Sequence, residues 1–405
     1  MAFGSSQIAD PSLAPEGERR LLWVEQHAGA LHRVWHDHFS SRPLLGMRVA
    51  IRIAIEPKTA YLAILLQRAG AEVGVTSASV MDDVAAALDR RGIAVRAHHG
   101  IGPEALLEAK RWLLRARPQI MLDARAEMVE LLHTEFAAQA GDMIGATEET
   151  TSGVLRLEPL AARGALRLPV LAANDARCKQ LFDNRYGTGQ STVTAIADNT
   201  QLNLAGAPVA VLGFGWCGRG IARAAAAFGA RVVVVEPDPV KALEASCEGY
   251  RPLDLEPALR GAGVVITATG AAGVIGAAHF GWLRDGAVLA NAGAFEDEID
   301  VPALRRAAAA EAASSPTLTT FRFADGRRVD LVAHGDQVNL AAAEGHPVEI
   351  MDLTFAVVLR AVAWLVEGRG RIPPGLHRLP PELDLEVARA KLSSLGLAID
   401  AAAAS

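Results

Sequence analysis

The chain has 405 residues, half of them hydrophobic and 21% charged, with a formal net charge of −6 and a pI near 6. That composition suits two or three well-buried domains and excludes a disordered chain. No Lys/Arg-rich run occurs and aromatic residues are few, which argues against a nucleic-acid partner or an anionic membrane.

The N-terminal "MAFGSSQIADPSLAPEGERR" lacks the apolar stretch of a secretory signal. Residues 18–40 carry a helical apolar period and predict one helix. His32, His36 and His38 lie on it, but no third ligand stands at a metal-site spacing, so a polar helix face is expected and no metal. Then "MRVAIRIAI" predicts a strand, "KTAYLAILLQRAG" a helix capped by Gly70, "AEVGVTS" a strand, "PEALLEAKRWLLRA" a helix and "PQIMLDA" a strand. This alternation implies a parallel α/β sheet over the first 170 or so residues.

Next comes "NDARCKQLFDNRYG", in which Asp175, Lys179 and Asp183 stand four apart and would share a helix face. A solvated ion-pair ladder explains that spacing; so does chemistry on a ligand held by the segment that follows. The three cysteines, Cys178, Cys217 and Cys247, lack metal-ligand spacing and read as reduced thiols of a cytoplasmic protein.

A second α/β run begins near residue 190. Gly213-x-Gly215-x-x-Gly218 follows the apolar strand "PVAVL" and opens the helix "RGIARAAAAFG". In that setting the glycines let backbone approach a pyrophosphate at the positive end of a helix. Glu236, 18 residues after Gly218, ends the next strand and suits the ribose hydroxyls of NAD better than the phosphate of NADP. Lys241 softens that preference. "GVVITATG", "AVLANAG" and "DLVAHG" predict further strands, and "LRRAAAAEAASS" a helix. "IMDLTFAVVLRAVAWLVEG" is interrupted by Asp352, Arg360 and Glu367, so it predicts a buried helix rather than a membrane span. The terminal "AIDAAAAS" predicts a frayed end.

From about Thr147 to Pro380 the chain resembles the adenosylhomocysteinase family, through "TEETTSGV", "NDARCKQLFDNRYG", "GFGWCGRG", "VEPDPVKALEA", "NAGAFEDEID", "QVNLAAAEGHP" and "LHRLPPELD". Residues 45–135 match more loosely, through "RAGAEV" and "LLHT". The resemblance implies an α/β protein in which a Rossmann-type NAD domain, 186–344, is inserted into a second α/β substrate domain. The substrate domain covers 1–185 and returns at 345–378, and 379–405 forms a short C-terminal segment. It implies NAD as cofactor, a small-molecule nucleoside substrate and a homo-oligomer. It places Lys179 and Asp183 beside a sugar 3′-hydroxyl and Glu149 on the sugar hydroxyls. Asn184, Thr150, Thr151, Thr269, Asn291 and Asn339 hold NAD, and His346 lies beside a hinge. Asn174 joins the substrate-binding candidates.

The departures are as specific as the matches. Ala294 stands where the family motif has histidine, Ala54 where it has another histidine and Ala124 where it has an acid/base aspartate. Glu56 and Lys58 replace a threonine and a glutamate that contact adenine, and Thr188 replaces a cysteine. The family's C-terminal extension is missing, which favours a dimer over a tetramer.

A secondary alcohol gives up hydride only if a base takes its proton, and a lysine–carboxylate pair suits that task. The ketone so formed acidifies the next carbon, and loss of that proton expels the C5′ substituent. With the later acid/base groups replaced by alanine, the expected net reaction is dehydration of a nucleoside, as in making a nucleoside antibiotic. The alternatives are ordinary adenosylhomocysteine hydrolysis, epimerisation through the same ketone, and a catalytically silent NAD-binding regulator. Glu56, Lys58, Asp123, His133 and His346 are the candidates to supply the missing acid, with His346 favoured because imidazole titrates near neutral pH.

Overall fold

The computed structural model describes residues 3–293 and 297–397. Two compact units emerge: residues 1–180 with 348–405, and residues 181–347.

The first unit is built on a seven-stranded sheet. In chain order its strands are β1 (Arg48–Arg52), β2 (Glu72–Val75), β3 (Ala94–Val95), β4 (Ile120–Asp123), β5 (Gly145–Glu148) and β6 (Pro169–Ala172), with a late strand, Gly375–Arg378, added beside β6. From that late strand inward the order is β6-β5-β4-β1-β2-β3, all parallel. Val49, Ala50, Ile51 and Ile120–Leu122 are buried, as expected of strands covered by helices on both faces. The order in which strands are added reverses between β1 and β4, which themselves run parallel. Ala54 follows the first of these strands and Ala124 the second, so both lie at the carboxyl edge where open α/β sheets take their ligands.

The second unit repeats the arrangement. Its strands are β7 (Pro208–Leu212), β8 (Arg231–Val235), β9 (Arg251–Pro252), β10 (Val264–Thr267), β11 (Ala287–Asn291), β12 (Ala310–Ser315), β13 (Leu318–Arg322) and β14 (Arg328–Val332), ordered β12-β13-β14-β11-β10-β7-β8-β9. The strands from β14 to β9 are parallel, and β13 and β12 add an antiparallel edge. Here the reversal falls between β7, which leads into the glycine turn, and β10, which leads to Thr269. The late strand of the first unit, Gly375–Arg378, is β15.

Three expectations are corrected. Residues 18–40 form two helices, Ala14–His27 and Gly29–Phe39, not one. The cause is remote: the carboxylate of Asp352 accepts the Ala30 and Leu31 N–H groups at 3.0 and 2.7 Å and pairs with Lys391 at 2.8 Å. Asp352 thus supplies the N-terminal cap that Ala28 cannot. It does so from inside the apolar helix Val348–Glu367, which is a buried helix; no described helix is long and apolar enough to cross a membrane. Next, "LRRAAAAEAASS" is a helix only over Val301–Ala307, after which Ala310–Ser315 forms the edge strand. Pairing with β13 outweighs the helix preference of alanine there. Finally, the single regular helix on which Asp175, Lys179 and Asp183 would share a face is not formed in "NDARCKQLFDNRYG". Asp175 ends a separate 3-10 turn, the helix begins at Arg177, and Gln180–Gly187 winds as a π-helix. Single π-turns inside helical runs gather at functional sites.

The three early histidines go separate ways. His32 Nε2 meets the Tyr61 hydroxyl at 2.5 Å, His36 meets Asp37 at 3.1 Å, and His38 pairs with Glu386. None of the three cysteines forms a disulfide among the described residues. The "AIDAAAAS" tail from Ala398 onward and Ala294 lie outside the described residues.

Candidate active site

In the second unit the glycine turn has the shape the motif requires. Gly213 has φ +98°, and a Cβ there would come within 2.6 Å of the Ala268 carbonyl oxygen. A Cβ on Gly218 would sit 2.0 Å from the Gly213 oxygen, so only glycine lets the helix pack on the turn. The helix Trp216–Ala227 starts at Gly215 with no side-chain cap, which leaves its first N–H groups to an anion. Glu236 lies just past β8 and accepts the Phe214 N–H at 2.6 Å and the Asp238 N–H at 3.0 Å. It therefore shapes the turn as well as presenting a carboxylate beside it. Arg219 braces the same turn by donating to the Phe214 carbonyl at 3.2 Å.

Around this turn the other cofactor candidates fall into two kinds. Asn291 is fully buried: its Oδ1 accepts from Thr267 and from the Gly293 N–H at 3.1 and 2.8 Å, and its Nδ2 donates to the Gly335 carbonyl at 3.1 Å. Asn339 is 1% exposed, and its Oδ1 has no hydrogen-bond partner among the described residues. A buried acceptor left this way favours a ligand amide as its partner. Thr269 is held by a group the sequence did not single out. Glu298, fully buried, accepts from its N–H at 3.0 Å and its hydroxyl at 2.9 Å, and from the Gly270 N–H at 2.7 Å. Burial holds the Glu298 carboxyl above the usual range. The uncapped helix end, the two crowded glycines and the unpartnered Asn339 oxygen fit a dinucleotide carrying a carboxamide.

Replacing Glu236 by alanine removes both backbone hydrogen bonds and the carboxylate. NAD affinity is expected to fall roughly 10- to 100-fold, with a smaller preference over NADP, as titration of cofactor fluorescence would show. Equal affinity of the unaltered protein for both cofactors would contradict the role given to Glu236.

The same unit holds a polar chain. Asp183 and Asn184 are buried on the π-helical turn. His346 Nδ1 lies 3.3 Å from Asp183 Oδ1, and its Nε2 lies 3.3 Å from the Thr188 hydroxyl. The Cys217 thiol donates to that hydroxyl at 3.7 Å. A carboxylate on one ring nitrogen fixes the tautomer and the orientation of the ring.

In the first unit the candidates gather at the carboxyl ends of β1, β4, β5 and β6, except His133, which sits in the last turn of the helix Glu127–Glu135 and meets Arg167 just before β6 begins. Most are committed to the protein itself. Glu56 caps the helix Pro57–Arg68 through the Lys58 and Thr59 N–H groups and pairs with the Lys58 ammonium at 2.6 Å, both side chains 9% exposed. Asp123, fully buried, accepts the N–H groups of Ala124, Met128 and Val129 at 2.8–3.0 Å. His133 spends one ring nitrogen on the Val129 carbonyl and the other on the Arg167 N–H. Thr150 caps the helix Thr151–Ala162, and the Thr151 hydroxyl meets Asn174 Oδ1 at 3.2 Å. Glu149 is half-buried, whereas Lys179 is buried on the short helix Arg177–Lys179.

The sequence reading missed Glu148. Its buried carboxylate accepts from the Arg125, Ala126 and Thr150 N–H groups and from the Thr150 hydroxyl, at 2.5–3.1 Å. It thereby ties the loop after β4 to the loop after β5. Adjacent strand residues face opposite ways, so in "TEET" the sequence does not say which glutamate points inward. Glu148 and Asp123 lie opposite each other on paired strands. Burial, then mutual repulsion, drives the Glu148 carboxyl well above its usual range, and burial lifts Asp123 to about 7. Both are raised above their unfolded values, so the folded chain binds the extra proton. The stability this gives is present in acid and lost as pH rises through the folded value. Melting temperature is expected to fall as pH rises from about 4 to about 7, and Asp123→Asn to flatten that slope. A flat profile for the unaltered protein would contradict this.

Comparison with known proteins places these features in a family. Residues 184–345 match the model described as S-adenosyl-L-homocysteine hydrolase, NAD binding domain, and residues 5–140 match the one described as S-adenosyl-L-homocysteine hydrolase. An adenosylhomocysteinase of Thermococcus kodakarensis is 44% identical over 97% of this chain and 94% of its own length. That of Archaeoglobus fulgidus is 45% identical over 95% and 96%. An S-inosyl-L-homocysteine hydrolase of Methanopyrus kandleri is 42% identical over 98% and 95%. With these matches, and with a dinucleotide turn that fits its cofactor, the chain belongs to the S-adenosyl-L-homocysteine hydrolase family and is an NAD-dependent enzyme of it.

Proposed function

We propose that the protein oxidises a nucleoside's sugar hydroxyl transiently, eliminates the C5′ substituent as water and restores the hydroxyl, for a net dehydration. NAD, when bound, supplies the acceptor and donor of hydride. Lys179 takes the hydroxyl proton. Glu149 and Asn174 orient the sugar, and Asn184 and Asn339 orient the nicotinamide. Once the sugar carbon is a ketone, the neighbouring C–H is acidic; His346 takes that proton and passes it to the departing C5′ oxygen, which leaves as water, and Lys179 returns its proton when the hydroxyl is restored.

The observation that carries this reading is the contrast between His346 and its rivals. Asp123 and His133 are spent on backbone groups, and Glu56 is spent on a helix cap and Lys58. His346 alone among the candidates stands between a carboxylate and a hydroxyl, the setting of an acid that can be recharged. Hydroxide leaves far less readily than thiolate, so an elimination of water depends on such an acid. Ala54 and Ala124, at the strand reversal, offer no proton-handling group for adding water back.

A second reading is hydrolysis of an S-nucleosyl-homocysteine thioether, favoured by what the relatives are called. Mass analysis of the products separates the two. Purine nucleosides should lose the mass of one water, while S-adenosyl- and S-inosylhomocysteine should release homocysteine slowly or not at all. Rapid release of homocysteine, or an isomer of unchanged mass, would overturn the dehydratase reading.

A further inference from the structure

The C-terminal part of the first unit reaches back to the segment that carries Lys179. Strand β15 pairs in parallel with β6, and β6 runs through the turn Ala173–Asp175 into the helix Arg177–Lys179. From the helix Pro381–Ser394, Asp384 completes the contact. Its Oδ2 accepts the Arg177 N–H at 2.9 Å and its Oδ1 the Cys178 N–H at 3.0 Å. Its backbone carbonyl accepts the Cys178 thiol hydrogen at 3.4 Å. Asp384 is 8% exposed. The residue before the helix, Ala176, has no side chain able to cap it. The first two N–H groups of Lys179's helix are therefore satisfied by one carboxylate some 200 positions away in sequence. Burial and the neighbouring Asp384 push the Cys178 thiol up to about 12, so it stays a donor.

We propose that Asp384 is the positioning residue for Lys179, fixing the backbone from which the amine meets the sugar hydroxyl and placing a negative charge at the start of its helix. The proposal rests on the reading of Lys179 as the base. A carboxylate held against the two preceding peptides does what a local cap cannot: it sets the helix start in both position and charge. Displacement of a catalytic group by about 1 Å costs on the order of 100-fold in rate.

The test measures single-turnover reduction of bound NAD by a nucleoside in the full-length, NAD-loaded protein, across pH. Asp384→Asn keeps the shape but loses one acceptor and the charge. NADH formation should slow about 10- to 100-fold, and nucleoside affinity should change less than about threefold. The pH midpoint of the rate should move toward acid, because loss of the carboxylate disfavours the ammonium form of Lys179. A merely structural role would not move that midpoint. Asp384→Glu keeps the charge and shifts its position, so it should slow the reaction at an unchanged midpoint, and it carries the test alone if Asp384→Asn does not fold. An unchanged rate and midpoint in a folded Asp384→Asn, or an unchanged rate in Asp384→Glu, would overturn the proposal. Lys179→Ala run alongside tests the underlying reading: if it still forms NADH at the normal rate, that reading fails, whatever the Asp384 variants do.

Discussion

Lys179→Ala is expected to abolish NADH formation with every nucleoside tried, while the protein still binds NAD. Loss of a positioned general base costs typically 10²–10⁴-fold, and here it would fall on the first chemical step. Product formation and NADH appearance should therefore fail together. Rapid-scanning absorbance on the NAD-loaded protein checks this. If NADH still appears at the normal rate, another group takes the hydroxyl proton.

His346→Ala is expected to split the reaction. Its ring is held by Asp183 on one side and Thr188 on the other, and with the ring removed Lys179 still takes the hydroxyl proton. The ketone and NADH should form and then persist, with elimination slowed by roughly 10²–10⁴-fold. Trapping the ketone by borohydride before mass analysis would reveal it. A variant that loses NADH formation as completely as Lys179→Ala would place His346 in the oxidation step instead.

These expectations differ in how far the sequence alone supports them. The glycine turn was readable because strand, turn and helix follow one another within "PVAVLGFGWCGRGIARAAAAFG", and local spacing fixes the local shape. The alternation of strands and helices in the first unit was readable for the same reason. Groups that act across long separations were not. Asp352 breaks the first predicted helix from more than 320 positions away, and Asp384 caps the Lys179 helix from beyond 200. In sequence each is one carboxylate on an otherwise ordinary helix. Glu148 and Glu298 were hidden for a related reason: a buried carboxylate that organises backbone N–H groups looks, in sequence, like one that meets a ligand. Conversely, Asp123, His133 and Glu56 had the right residue type for proton transfer and are occupied by hydrogen bonds within the fold. The edge strand Ala310–Ser315 shows the limit of propensity, since sheet pairing decided it.

The central claim is that a sugar carbon is oxidised and then restored within one turnover. The most direct measurement uses a nucleoside deuterated at the carbon bearing the oxidised hydroxyl. The expected result is a primary isotope effect on NADH appearance, with the deuterium returned to that carbon in the product. Product formed with no isotope effect and no transient NADH would contradict it.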